Sequence, residues 1–171
     1  DGVLINKNGT ELMHYPNAKS GESYLVPVGI ERIAEGAILE PEELQEITLS
    51  TSVQVIEDGA LELDGVAIHV TEGSNHFTSI EGVLFTENLK VLVKFPQQSA
   101  VTDYEVPDGV ITIGSEAFAG CDNLLSITLP EGVTSIKKFA FNGCIELDTV
   151  SLPSTLIELE RGVFRSCRRL V

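Results

Sequence analysis

The chain has 171 residues, one domain's length or one short array of repeats, and carries 26 Asp and Glu against 11 Lys and Arg, for a formal charge of −15. So acidic a chain repels phosphate backbones and anionic membranes, which excludes nucleic acid as a general partner. With 43% hydrophobic residues it can bury a core, aliphatic because aromatics make up 6% and Trp is absent, and no apolar run approaches the ~20 residues of a membrane span.

Residues 1–26 read as a β-hairpin insert turning at Asn8-Gly9. Residues 27–49 form a repeat that keeps Gly29, Ile30, Ile33, Ala37, Leu44, Ile47 and Leu49; residues 50–70 form a degenerate one that keeps Val53, Ile56 and Ala60. A linker and a second hairpin insert follow over 71–106, with arms Val83–Phe85 and Val91–Phe95 and with Glu87-Asn88 near the turn. Residues 107–129 and 130–152 are the clearest copies, sharing P-x-G-V-x-x-I-x-x-x-A-F-x-G-C-x-x-L. A truncated copy, 153–171, keeps Leu156, Leu159, Val163, Phe164, Cys167 and Leu170. Residues 1–26 align with 81–106, so the whole pattern recurs as a cassette at an offset of 80 (Tyr24 to Tyr104, Pro27 to Pro107). Both ends cut through a repeat, and the sequence is expected to be part of a longer array, which also accounts for the lack of a visible signal peptide.

Each repeat ends on alternating apolar residues, as a strand with one buried face should. Leu124, Ile127 and Leu129 point inward, as do Leu147, Val150 and Leu152 one coil later, while Ser126, Thr128, Thr149 and Ser151 point outward. One coil cannot bury its apolar side alone; stacked coils with parallel strands can. The opening proline of each copy ends the strand because it has no N–H for the ladder. The stretch S-E-A-F-A-G-C suits a short helical turn, with Ala117 and Ala140 small enough for close approach, and with Phe118, Phe141, Phe164, Cys121, Cys144 and Cys167 filling the interior.

These residues carry a resemblance. The chain resembles the BspA-like class of bacterial leucine-rich repeats, typified by A-F-x-G-C-x-x-L-x-x-I-x-L-P followed by V-x-x-I, as in the copies from Pro107 and Pro130, and by the I-D/E-G-V-L-F…P unit at Ile80–Pro96. The resemblance is specific over 107–171 and looser over 27–70, where Ile38 and Pro41 replace Phe and Cys. It implies an α+β, right-handed leucine-rich-repeat solenoid of about five 21–23-residue coils, with a parallel strand ladder, short helical turns and two inserted hairpins. A β-helix would also accommodate such a coil and stands second, because the Ala-Phe…Gly-Cys turn favours the leucine-rich repeat. The family further implies a secreted or cell-surface bacterial protein engaged in adhesion, with an extracellular protein or glycan as ligand. A spacer or stalk displaying another domain is the alternative.

The chemistry-bearing residues read mostly as scaffold. Three cysteines spaced by one coil, with no C-x-x-C, read as a stacked core column rather than as a zinc site or a disulfide framework. His14, His69 and His76 have no metal-ligand spacing; His69 belongs to the outward strand face. Glu40, Glu42, Glu43 and Glu46 surround an expected helical turn after Pro41, and Glu57, Asp58, Glu62 and Asp64 follow; without a calcium-loop pattern they read as a solvated face. Charge runs from −11 over residues 1–80 to +2 over 153–171, where Arg161, Arg165, Arg168 and Arg169 cluster. No G-x-S-x-G, P-loop, G-x-G-x-x-G or H-E-x-x-H occurs, so no catalytic, metal or cofactor site is expected. Asn8-Gly9-Thr10 matches a glycosylation acceptor but is explained by its turn. A carbohydrate module would want exposed aromatics; Tyr15 and Phe95 are the nearest, and they read as hairpin packing. What remains is an interaction face of Glu46, Thr48, His69, Ser126, Thr128, Thr149 and Ser151.

Overall fold

The computed structural model describes residues 2–63, 65–97 and 99–171, and divides into two compact units, Asp1–Glu87 and Asn88–Val171. The first unit contains β1 (Leu4–Ile5), β2 (Glu11–His14), β3 (Ser23–Leu25), β4 (Arg32–Ile33), β5 (Ile38–Leu39), β6 (Glu46–Leu49), β7 (Val55–Ile56), β8 (Leu61–Glu62), β9 (Ala67–Val70), β10 (Phe77–Ile80) and β11 (Val83–Thr86). The second contains β12 (Val91–Lys94), β13 (Asp103–Glu105), β14 (Thr112–Ile113), β15 (Ser126–Thr128), β16 (Ser135–Ile136), β17 (Thr149–Ser151) and β18 (Glu158–Leu159).

Parallel ladders define the coils. In the first unit β2, β4 and β7 pair in parallel through Leu12, Ile33 and Ile56, and β3, β6 and β9 through Tyr24, Ile47 and Ile68. In the second, β12, β14, β16 and β18 pair through Leu92, Ile113, Ile136 and Leu159, and β13, β15 and β17 through Tyr104, Ile127 and Val150. The residues on these rungs are the apolar ones, so each ladder turns an apolar stripe inward, ending in the second unit at Leu159, which is 52% exposed.

Two expectations are corrected. The fold is all-β among the described residues, not α+β, because the expected helical turns are runs of β-turns. In the second unit every other amide closes a four-residue β-turn: Ala117 N–H donates to Gly114 O, Ala119 to Glu116 O and Cys121 to Phe118 O, at 3.1–3.3 Å. The amides between them, from Glu116, Phe118 and Gly120, donate to Lys138 O, Ala140 O and Asn142 O of the next coil, at 2.7–3.1 Å. A helix would direct all of these amides along its own axis; here half are spent on the neighbouring coil. Left-handed residues at Glu116 (φ 56°) and Gly120 (φ 72°) interrupt any helix as well. The turn expected around Pro41 is likewise non-helical, with Glu40 at φ 42°.

The solenoid has about six turns rather than five. The extra turn arises because the first hairpin is part of the array: β1 pairs antiparallel with β2, and β2 is at the same time the first rung of the ladder through β4 and β7. Its turn is held by Asn6, whose Oδ1 accepts from the Thr10 and Glu11 amides at 2.9 and 3.2 Å. In the second cassette both expected arms are strands, β11 and β12, and β11 pairs antiparallel with β10 across Glu81-Gly82. The φ values of 50° and 80° at those two residues match the primed turn that favours hairpin twist.

The second unit is filled by an aromatic stack. The rings of Phe95, Phe118 and Phe141 follow at 5.0 Å intervals, Phe164 adds 5.4 Å, and the planes tilt by 15–25°. The first unit has Tyr15, Ile38 and Leu61 in parallel register at the corresponding place. Ala117, Phe118, Cys121, Leu124, Ile127, Leu129, Ala140, Phe141, Cys144 and Leu147 are all buried. Val150, Phe164 and Cys167 are half-buried, and Leu152, expected to point inward, is 47% exposed. Leu129 is covered by the coil that follows it, whereas residues 153–171 have no strand in register with β17 to cover Leu152.

Candidate interaction surface

On a strand, alternate residues face opposite sides, so the residues flanking each inward rung residue form the outer face. In the first unit this face has two rows, Ser23–Glu46–Ala67 and Leu25–Thr48–His69. In the second the rows are Asp103–Ser126–Thr149 and Glu105–Thr128–Ser151. The structure therefore brings Glu46, Thr48 and His69 together on one unit, and Ser126, Thr128, Thr149 and Ser151 together on the other. Glu46, His69, Thr128, Thr149 and Ser151 are exposed; Thr48 and Ser126 are half-buried.

Sequence reasoning missed Ser23, Leu25, Ala67, Asp103 and Glu105. Tyr24 and Tyr104 correspond not only to each other but also to Ile47 and Ile127, the inward residues 23 positions on. That comparison identifies their neighbours as outward. Leu25 is a substantial addition, since it is 59% exposed beside Thr48.

Asp103 organises the second unit's face. Ser126 Oγ donates to its Oδ1 at 2.6 Å and Thr102 Oγ1 to its Oδ2 at 2.8 Å. The Ser126 hydroxyl first, then that of Thr102, hold the carboxyl below its ordinary value. With their protons committed, these hydroxyls offer lone pairs outward. Thr149 Oγ1 likewise donates to Asp148 Oδ1 at 2.7 Å.

The remaining chemistry-bearing residues are structural in placement. All three cysteines are free thiols, and those of Cys144 and Cys167 donate to Phe118 O and Phe141 O at 3.0 Å. A hydrogen bond with Cys121, then burial, pushes the Cys144 thiol far up; burial, then Cys144, pushes Cys167 up to about 11. Tyr15 and Phe95 are 1% and 2% exposed, so neither is available for stacking on a sugar. Among the described residues no group of three or more His, Cys, Asp or Glu could hold a metal ion, and no helix is long and apolar enough to cross a membrane. Asp64, expected on the acidic face, lies outside the described residues.

A family model described as a BspA-type leucine-rich-repeat region, in six copies, matches residues 15–100 and 92–171. The chain belongs to that family. Solved structures of bacterial leucine-rich-repeat proteins share the fold of this BspA-type array. The pneumococcal vaccine antigen PcpA is 25% identical over 79% of this chain and 40% of its own, with a TM-score of 0.66. A Bacteroides ovatus leucine-rich-repeat protein is 22% identical over 94% of this chain and 39% of its own, with a TM-score of 0.54. The Treponema pallidum protein TpLRR is 22% identical over 99% of this chain and 87% of its own, with a TM-score of 0.51. The BspA-type array thus spans less than half of the pneumococcal and Bacteroides chains. Among curated proteins no match was found.

Proposed function

We propose that this BspA-type array is a non-catalytic recognition module of a secreted or cell-surface bacterial protein, and that it binds an extracellular protein or glycan of a host or neighbouring cell through its outer strand faces. The observation that carries the reading is the pair of rows Asp103–Ser126–Thr149 and Glu105–Thr128–Ser151. They present carboxylates and short hydroxyls on a parallel ladder, a flat surface whose geometry is set by the backbone and loses little side-chain entropy on docking. Leucine-rich-repeat arrays generally act by binding, and the resemblance to a pneumococcal vaccine antigen supports exposure at a cell surface.

The test is a binding screen of the purified chain against extracellular-matrix proteins and a glycan array, beside a Thr128→Lys, Ser151→Lys variant whose fold is confirmed by circular dichroism. Saturable binding by the parent that the variant loses is the expected result. Equal binding by both would move the contact off this face. No binding by either would favour a spacer that displays another domain.

A further inference from the structure

Two asparagines of the chain, Asn8 and Asn142, are followed by glycine. That pair is open to a reaction that needs no enzyme. The glycine nitrogen, once it has lost its proton, can attack the side-chain carbonyl carbon of the asparagine, and with no Cβ on the glycine nothing crowds the approach. The reaction requires the peptide between the two residues to turn, and the fold restrains the two sites to very different degrees.

Asn142-Gly143 lies in the turn column of the second unit, and its peptide is held by the coils on both sides. The Asn142 carbonyl accepts the Gly120 N–H of the preceding coil at 2.9 Å, and the Gly143 N–H donates to Arg165 O of the following coil at 2.8 Å. Both residues are half-buried, and a Cβ on Gly143 would already touch Gly120 N at 3.7 Å. Turning this peptide breaks two bonds that join coils.

Asn8-Gly9 is the tip of the first hairpin. Lys7, Asn8 and Gly9 are all exposed, and nothing lies within 4 Å of where a Gly9 Cβ would stand. Among the described residues the Asn8 carboxamide has no hydrogen-bond partner, and the peptide is held by one local bond, from the Gly9 N–H to Asn6 O at 3.0 Å. A bond at an exposed tip opens by local fraying and takes no ladder with it. The clamp across the turn belongs to Asn6, whose Oδ1 accepts the Thr10 and Glu11 amides at 2.9 and 3.2 Å. Asn8 therefore has no structural task that would hold its side chain away from the Gly9 nitrogen.

We infer that Asn8 is a site of spontaneous deamidation in the folded chain, and that Asn142 is protected by its neighbouring coils. The Gly9 nitrogen bonds to Asn8 Cγ, the Cγ–Nδ2 bond breaks, and the amide nitrogen leaves as ammonia, taking up the proton that the Gly9 nitrogen gave to solvent. Water then opens the resulting succinimide at either carbonyl, which leaves aspartate or isoaspartate at position 8. The sum is one water consumed and one ammonia released, with no change of oxidation state and one more negative charge on the chain. In the isoaspartate product the main chain runs one carbon longer inside the turn that Asn6 clamps. The antiparallel pairing of β1 with β2 loosens as a result, while the parallel bonds from β2 to β4 remain.

The experiment incubates the full chain in mildly alkaline buffer, native and in urea, and follows amide-to-acid conversion by peptide mapping and mass spectrometry, with ammonia release read in parallel. In the native chain the Asn8 peptide should convert about tenfold or more faster than the Asn142 peptide, and in urea the two rates should converge, because folded structure alone separates them. The Asn8 rate should climb with pH, since the nitrogen reacts as its anion. Asn8→Ser should remove most of the ammonia released by the native chain. Equal native rates at the two sites, a gap of the same size in urea, or ammonia release undiminished in Asn8→Ser would overturn the inference.

Discussion

Phe95 meets Tyr104 edge-on at 4.7 Å with the ring planes at 64°, and 80 positions earlier Tyr15 meets Tyr24 in the same way at 4.9 Å and 62°. Each pair joins the first coil of its unit to the strand beginning that unit's outer face, so one aromatic contact sets the depth at which the parallel ladder starts. The unit with Phe95 continues the contact as a stack through Phe118 and Phe141; the unit with Tyr15 continues with aliphatic residues.

Because Phe118 lies between two rings at 5.0 Å and is fully buried, Phe118→Ala is expected to cost about 3–5 kcal/mol. Phe164, half-buried with one stacked neighbour, should cost about half as much when truncated. Urea unfolding monitored by far-UV circular dichroism checks both values. Equal losses would mean that the stack does not grade with burial.

Two left-handed positions should respond in opposite directions. Glu116 adopts φ 56° although it has a Cβ, and the bonds it makes to the neighbouring coil are from its backbone, so Glu116→Gly should stabilise by about 0.5–1 kcal/mol. Gly162, one turn position of a later coil at φ 69°, has the Phe139 ring against it: an added Cβ would lie 2.5 Å from Cε1. Gly162→Ala should therefore destabilise by about 1–3 kcal/mol and disturb the Arg161 guanidinium, which sits 5.5 Å from that ring. Thermal melts of the two variants side by side decide the signs.

The Asp103 carboxyl is held below its ordinary value in the folded chain, so it adds stability above the unfolded value of about 4, and that stability is lost as pH falls through the lower folded value. Asp103→Asn is expected to melt below the parent at neutral pH, with the gap closing as the solution is taken below pH ~4. A gap of constant size would assign the effect to shape rather than to ionisation.

Thiol chemistry should report the cysteine column. Cys121 and Cys144 are buried, and Cys167 is half-buried with its value pushed up to about 11. A disulfide reagent at neutral pH should leave the first two untouched and modify Cys167 slowly, with a rate that climbs with pH; all three cysteines should react in denaturant. Rapid labelling of Cys144 in native protein would show that the coils open.

The coil period, the inward rows short of Leu152 and the family were legible in the sequence because stacking demands it: a residue on one rung must match the residue one coil later, and Ile113 and Ile136, both buried, show that recurrence directly. Helix content was not legible. Ala117 and Phe118 in a compact stretch have helical propensity, and nothing local says that every other amide will be claimed from the side by Lys138, Ala140 and Asn142. The rung role of β2 was hidden in the same way, since a strand shows its apolar face but not how many partners it pairs with.

By itself, then, the sequence determined the repeat, its apolar interior and the acidic surface, all properties that depend on residue type at a fixed spacing. Only the tertiary structure decided that the turns are not helices and that Asp103 and Glu105 belong to the outer face. Those features depend on which coil lies beside which, and the hydrogen bonds made sideways between coils join backbone groups, so they demand no particular side chain that the sequence could display.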